Sequence, residues 1–226
     1  MRTLAFGDIH GATANLDALL AAVAPTPDDW LIFLGDYVDR GPDSKGVLDR
    51  LIALKATHRV VCLRGNHELM MLQARTDAGM RKMWLGVGGM QCLASYSPTP
   101  GKSGKFEDIP PSHWEFLKTE CVDWLETETH IFAHAGVDPH LPMRAQTETA
   151  IFWDFLCGPI DHVSGKTLIV GHTSQKSGNV LDYGCTVCID THAYGGGFLT
   201  CLDANAGHYW QADALGRVRE GDRIPN

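Results

Sequence analysis

Aspartate, asparagine and histidine recur where short apolar runs of this chain stop. Thr3–Phe6 runs into Gly7-Asp8-Ile9-His10, residues 31–34 into Gly35-Asp36, and Arg59–Leu63 into Gly65-Asn66-His67. Residues 129–133 run into His134, and Thr167–Val170 into Gly171-His172. One such residue at the end of a run usually marks a turn. Seven of them, Asp8, His10, Asp36, Asn66, His67, His134 and His172, spread over five run ends, suggest a shared site. They offer only imidazole nitrogens and carboxylate or amide oxygens. That donor set suits Mn, Fe, Zn or similar borderline divalent metals and needs no thiolate.

The elements that must position them are legible as well. Each run is four or five residues long, rich in β-formers and bounded by turn residues, as a buried strand is. Further strand-like runs are 185–189, ending at Asp190, and 198–202 and 208–211. Between the early runs, Leu16, Leu19, Leu20 and Val23 follow helical spacing, as do Val47, Leu51 and Leu54. The order β-α-β-α-β predicts an α/β fold with a parallel portion, and the strand-rich C-terminal third allows a second sheet. In open α/β sheets ligands bind beyond the carboxyl ends of the strands, where all seven residues would lie. Residues 77–128 are less regular, with Gly86-Val87-Gly88-Gly89, Ser97-Pro98-Thr99-Pro100-Gly101 and Trp84, Trp114 and Trp124. They are expected to be helices and loops capping the sheet, inside a single domain spanning residues 1–226.

Three blocks now stand out together: Gly7-Asp8-Ile9-His10-Gly11, Gly35-Asp36-Tyr37-Val38-Asp39-Arg40-Gly41 and Arg64-Gly65-Asn66-His67-Glu68. With His134-Ala135-Gly136, Gly171-His172-Thr173 and Asp190-Thr191, the chain resembles the PPP-type metallophosphoesterases. These include Ser/Thr protein phosphatases, calcineurin-like enzymes and diadenosine tetraphosphatases. The resemblance implies two mixed β-sheets packed as a sandwich and flanked by helices. It implies a first metal on Asp8, His10 and Asp36, and a second on Asp36, Asn66, His134 and His172, bridged by Asp36. Manganese is the leading expectation, with Fe, Zn, Co or Ni as alternatives. His67 is implied as the general acid, oriented by Asp39. Arg40 is implied as the phosphate fork, with Arg64 and Asn66 as further substrate contacts. One departure is visible. The family commonly has a second phosphate-binding arginine near a tryptophan-containing segment after the first late histidine. Here that segment reads Ile151-Phe152-Trp153-Asp154-Phe155. Arg144, in the preceding loop, is an alternative source of the second fork.

Composition narrows the function further. Lys plus Arg number 19 against 27 Asp plus Glu, a formal net charge of -8. Such a surface disfavours nucleic acid and anionic membranes. It would also repel phosphate esters, so a phosphate site needs local positive charge, and two divalent ions beside Asp8 and Asp36 would provide it. No run approaches the ~20 apolar residues of a membrane span. The N-terminus lacks a signal-peptide pattern, so a cytoplasmic location is expected. Seven scattered cysteines fit reduced thiols. Cys185 and Cys188 lack the second pair that a zinc site wants. His192 is expected at the surface, and the three tryptophans in packing. The leading expectation is a phosphatase acting on phosphorylated Ser, Thr or Tyr in proteins, or on small phosphate esters. The alternatives are a diadenosine tetraphosphatase-like nucleotide hydrolase and a non-catalytic phosphate-binding module.

Overall fold

The computed structural model describes residues 1–223. Its strands are β1 (Thr3–Phe6), β2 (Trp30–Phe33), β3 (Arg59–Leu63), β4 (Cys121–Val122), β5 (Trp124–Glu126) and β6 (His130–Ala133). They continue with β7 (Thr167–Val170), β8 (Leu181–Asp182), β9 (Thr186–Cys188), β10 (Leu199–Asp203), β11 (His208–Ala212) and β12 (Val218–Asp222). One sheet runs β12-β11-β10-β1-β2-β3-β4, and the other β5-β6-β7-β9-β8. Strands β1 to β4 are parallel, as are β6, β7 and β9. Antiparallel strands complete both sheets.

The central strands β1, β2, β6, β7, β9 and β10 are buried on both faces, and their period of two assigns each face. Ala5, Ile32, Leu63, Phe132, Ile169 and Val187 meet between the sheets. Leu4, Phe6, Leu31 and Phe33 face the other way, against helices α1 (Thr13–Val23) and α2 (Ser44–Lys55). Helix α1 buries Leu16, Leu19 and Val23, and α2 buries Val47, Leu48 and Leu51, as their spacing predicts. The Asp43 carboxylate caps α2 by accepting the Gly46 N–H at 2.8 Å. Helices α3 (Asn66–Gln73), α4 (Ala78–Trp84), α5 (Met90–Ser95) and α6 (Pro111–Glu115) follow β3. The outer face of the second sheet, Ile131, Leu168 and Val170, packs on Ile151 and Phe152 of α7 (Glu148–Phe152).

Segment 77–128 differs from its reading as helices and loops. It also supplies β4 to the edge of one sheet and β5 to the edge of the other. Its Trp84, Leu93, Trp114 and Phe116 share one core cluster with Leu4 and Phe33. Strands β4 and β8 have two residues each, too few to show a period, and β12 is a mostly exposed Val-Arg-Glu-Gly-Asp edge. Neither kind carries an apolar signal. The expected domain span includes residues 224–226, which lie outside the described residues. Among the described residues no helix is long and apolar enough to cross a membrane.

Asp29 ties the first strand to the turn before the second. Its carboxylate accepts from the Arg2 backbone N–H at 2.8 Å, the Arg2 guanidinium at 2.7 Å and the Thr26 N–H at 2.9 Å. The Arg2 guanidinium holds this carboxyl well below the usual carboxylate range. Its contribution is therefore complete above the unfolded value of ~3.9 and is lost as pH falls through the lower folded value. Asp29→Asn is expected to cost about 1–3 kcal/mol at neutral pH, since it leaves donors unpaired. The gap from the parent should narrow below pH ~4. Urea unfolding of both proteins at pH 7 and pH 3 measures it.

Candidate active site

The loops after the parallel strands are stitched to one another before any side chain is considered. The Ile9 and His10 N–H groups donate to the Asp36 carbonyl at 3.1 and 2.8 Å, and the Gly11 N–H donates to Tyr37 at 2.9 Å. The Gly171 N–H reaches the His134 carbonyl at 2.8 Å. The buried Glu68 carboxylate accepts four backbone N–H groups, from Asp36, Tyr37 and Gly65 at 2.8 Å and from Val38 at 3.2 Å. Burial pushes its carboxyl up to about 7, against the pull of those donors. Among the described residues, six of the seven non-glycine residues with positive φ are His10, Asp36, Asp39, Arg40, His172 and His192. Backbone of this kind persists where its surroundings over-determine it, and it clusters at functional sites.

Two groups of potential ligands result, His10 with Asp36 and His67, and Asp36 with His134 and His172. Within each, one ligand atom per residue lies within 4.8 Å of the others. Asp36 belongs to both: Oδ2 lies 3.3 Å from His10 Nε2, and Oδ1 lies 3.4 Å from His134 Nε2. His10 Nδ1 donates to the Val38 carbonyl at 2.8 Å, and His134 Nδ1 to the Leu34 carbonyl at 2.9 Å. Those bonds leave the Nε2 lone pairs aimed inward. Asn66, the first residue of α3, sets its side-chain amide 3.1 Å from His134 Nε2. Asp8 stands outside the first group. Its carboxylate is taken by the His172 backbone N–H at 3.0 and 3.2 Å, an approach possible because Gly171 has no Cβ to strike it.

His67 is tied to a different chain of contacts. Its Nδ1 lies 2.6 Å from Asp39 Oδ2, and the Trp84 indole N–H donates to the same carboxylate at 2.8 Å. Burial pushes the Asp39 carboxyl up to about 8 and the His67 imidazole down to about 3. Both shifts disfavour separated charges, so the pair holds one transferable proton with no net charge. Arg40 Nη1 donates to His10 Nε2 at 2.8 Å, and its guanidinium lies 4.9 Å from the centre of the Tyr194 ring. The Arg40 N–H meets the Gly88 carbonyl at 3.3 Å. Gly88 has φ 133°, and a Cβ there would stand 2.6 Å from the Arg40 nitrogen.

The family's sequence profile, Calcineurin-like phosphoesterase, matches residues 1–195. The chain belongs to this family. It is 42% identical to serine/threonine-protein phosphatase 1 of Salmonella typhimurium over 206 residues, covering 86% of this chain and 88% of that protein. It is 33% identical to the symmetrical bis(5'-nucleosyl)-tetraphosphatase of a Janthinobacterium strain over 147 residues, covering 62% of this chain but 45% of that protein. A solved structure of a candidate diadenosine tetraphosphatase superposes with a TM-score of 0.68 at 20% identity, covering 100% of this chain and 95% of that one.

Calcineurin-like phosphoesterases use divalent metals, and the residues here fit them. His172 Nε2 is buried with no hydrogen-bond partner among the described residues. Asp8, Asp36 and Asp190 are buried together, and burial with mutual repulsion pushes Asp8 well above the carboxylate range. Burial also opposes the Asp36 anion, yet His134, His67 and His10 hold it well below that range. An orphaned imidazole nitrogen among crowded carboxylates is where a cation lowers the energy.

Arg64 departs from its expected substrate contact. Its guanidinium pairs with Asp123 and donates to the carbonyls of Leu117, Lys118 and Cys121, so it closes the β3–β4 edge. Arg144 sits exposed in the turn Met143–Ala145, with no hydrogen bond or ion pair among the described residues. His192 is half-buried, 2.9 Å from the Ser174 hydroxyl and edge-on to Tyr194. Sequence reading gave no role to three neighbours of the site. Asp190 carried a signal, being at a strand end. Trp84 and Tyr194 carried none, since their partners lie far away in sequence. Glu68 is the most structurally committed group. Glu68→Ala is expected to cost at least about 3 kcal/mol, because four buried N–H groups lose their acceptor. Thermal unfolding of the two proteins gives the number.

Proposed function

We propose that the chain is a phosphomonoesterase acting on phosphorylated side chains of proteins, with two bound divalent metals, manganese foremost. The observation that carries this reading is the Trp84–Asp39–His67 relay beside two ligand groups that share Asp36. A module that only binds phosphate has no use for a positioned proton donor. One metal would be held by Asp8, His10 and Asp36, and the other by Asp36, Asn66, His134 and His172. Metals bound there supply Lewis-acid polarisation of the phosphate and a water that is acidic near neutral pH.

The remaining work belongs to the chain. Arg40 offers a planar fork to two phosphate oxygens, with the Tyr194 ring behind it. Asp39 fixes the His67 tautomer and orientation, and as His67 passes its Nε2 proton to the leaving oxygen the proton shared with Asp39 moves onto Nδ1, leaving Asp39 as the carboxylate. The nucleotide hydrolase reading draws support from the Janthinobacterium relative. The monoester is favoured because Arg40 is the only Arg or Lys hydrogen-bonded to a member of the ligand groups among the described residues. A tetraphosphate chain brings more negative charge than one such cation offsets. The net charge of -8 argues the same way against nucleic acid and membranes as partners.

A panel of phosphopeptides, diadenosine tetraphosphate and small esters, compared by kcat/KM with manganese-loaded protein, tests the class of substrate. Higher turnover of the dinucleotide would transfer the site to the other reading. Chelator is expected to abolish activity and manganese to restore it; full activity in metal-free protein would end the metal mechanism. Asp36→Asn should bind far less than the ~2 metals per chain expected of a two-metal site. His67→Asn should cost ~10²–10⁴-fold on phosphoserine and much less on p-nitrophenyl phosphate, whose leaving group needs little protonation. Equal losses on both esters, with metal content retained and chemistry rate-limiting, would remove His67 from the role of acid.

A further inference from the structure

The stretch that lacks the second arginine puts an aromatic ring beside the site. Chain leaving α7 passes Trp153 and Asp154, and the Phe155 ring then lies on His172, with centroids 5.0 Å apart and planes 23° from parallel. Phe155 is nevertheless 70% exposed, so much of the ring surface is open. The histidine beneath it is anchored: its backbone N–H is held by Asp8, and the Trp153 carbonyl lies against its ring. Next to Phe155 is a cavity of about 290 Å³ whose walls include Ala135, Gly136, Leu156 and Ile160. Among the described residues Asp154 is its only charged lining residue, and no Lys or Arg lines it.

A carboxylate without a compensating cation disfavours a second phosphate on this side. Apolar walls and an open aromatic face favour a planar carbon ring. Arg40, half-buried and next to Tyr194, bonds His10, a member of the other ligand group. A phosphate gripped at Arg40 and the ligand groups therefore has one charged flank and one apolar flank.

We propose that Phe155 and this cavity receive the aromatic ring of a phosphotyrosine side chain, so that the enzyme selects an aryl phosphomonoester by stacking where a second arginine would have gripped the phosphate. The proposal rests on the phosphomonoesterase reading and adds the leaving group to it. It assigns Phe155 to specificity, as a residue that touches substrate away from the reacting atoms.

The test compares phosphotyrosine and phosphoserine peptides of one sequence in the parent, Phe155→Ala, Phe155→Tyr and Phe155→Arg. All are loaded with manganese and checked for equal metal content and melting temperature. The quantity read is the ratio of kcat/KM for the two peptides, in which the intrinsic difference between the esters cancels from variant to variant. Phe155→Ala is expected to lower the tyrosine-to-serine ratio roughly two- to tenfold, the worth of one aromatic pair, and Phe155→Tyr to retain it. Phe155→Arg should tighten competitive inhibition by inorganic phosphate about tenfold or more through a new charge-assisted fork. An unchanged ratio in Phe155→Ala overturns the proposal, as does a loss equal for both peptides. Unchanged phosphate inhibition in Phe155→Arg overturns it too, since the position would then not face the phosphate. Parent turnover of either peptide leaves the phosphomonoesterase reading standing whatever the ratio does, and absence of turnover on both removes the two together.

Discussion

The site depends on one buried carboxylate that does no chemistry. Glu68 projects from the first turn of α3 and accepts the N–H groups of Asp36, Tyr37, Val38 and Gly65. Asp36 is thereby held at φ 52°, and the chain beyond it delivers Asp39 and Arg40, also with positive φ, to the same edge. Backbone in this region is costly unless it is held from several sides. Four donors converging on one residue provide that hold, and they couple the end of β2 to the start of α3. The placement of Asp36, of the Asp39–His67 pair and of Arg40 all follows from this anchor.

Electrostatics sets the second condition. The protein is acidic overall, and the edge where the strands end concentrates further buried carboxylates in Asp8, Asp36 and Asp190. Burial, joined by repulsion from neighbouring carboxylates, raises the proton affinity of Asp8 and Asp190. Imidazoles with Nδ1 committed to backbone carbonyls turn their Nε2 lone pairs into this cluster. The same arrangement that would destabilise an ordinary core makes a cation site, because the desolvation already imposed on the ligands is offset when positive charge enters.

The Trp84–Asp39–His67 contacts show how burial couples a carboxylate to a histidine. Asp39 is enclosed by Trp84, Ser44 and His67, with its own N–H held by the Ser44 hydroxyl at 2.9 Å. In such surroundings a lone carboxylate and a lone imidazolium are both penalised, and the pair with one proton is the favoured state. Trp84 comes from the irregular middle segment, so that segment serves the site as well as the core. The kink at Gly88 that follows it brings a carbonyl against the Arg40 N–H and ties Arg40 and the Asp39–His67 pair to one piece of chain.

Much was legible in the residues themselves. Short continuous apolar runs such as Leu4-Ala5-Phe6 and Leu31-Ile32-Phe33, bounded by turn residues, mark strands buried on both faces, because each face meets a different layer. The family blocks around Asp8, Asp36 and Asn66, and the absence of an arginine in 151–155, are properties of local sequence. Contacts between distant segments are not. Asp8 faces the backbone of His172 across 164 positions, Arg64 leaves the site for Asp123, and Trp84 reaches Asp39 across 45. The edge strands β4, β8 and β12 were invisible because two residues have no period and an exposed edge has no apolar signal. Residue type and spacing determined which groups meet at the strand ends, since a parallel sheet sends its chemistry to one edge. Which of them point at one another was decided by packing alone, where a hydrogen bond or a missing Cβ selects among side-chain directions that the sequence leaves equal.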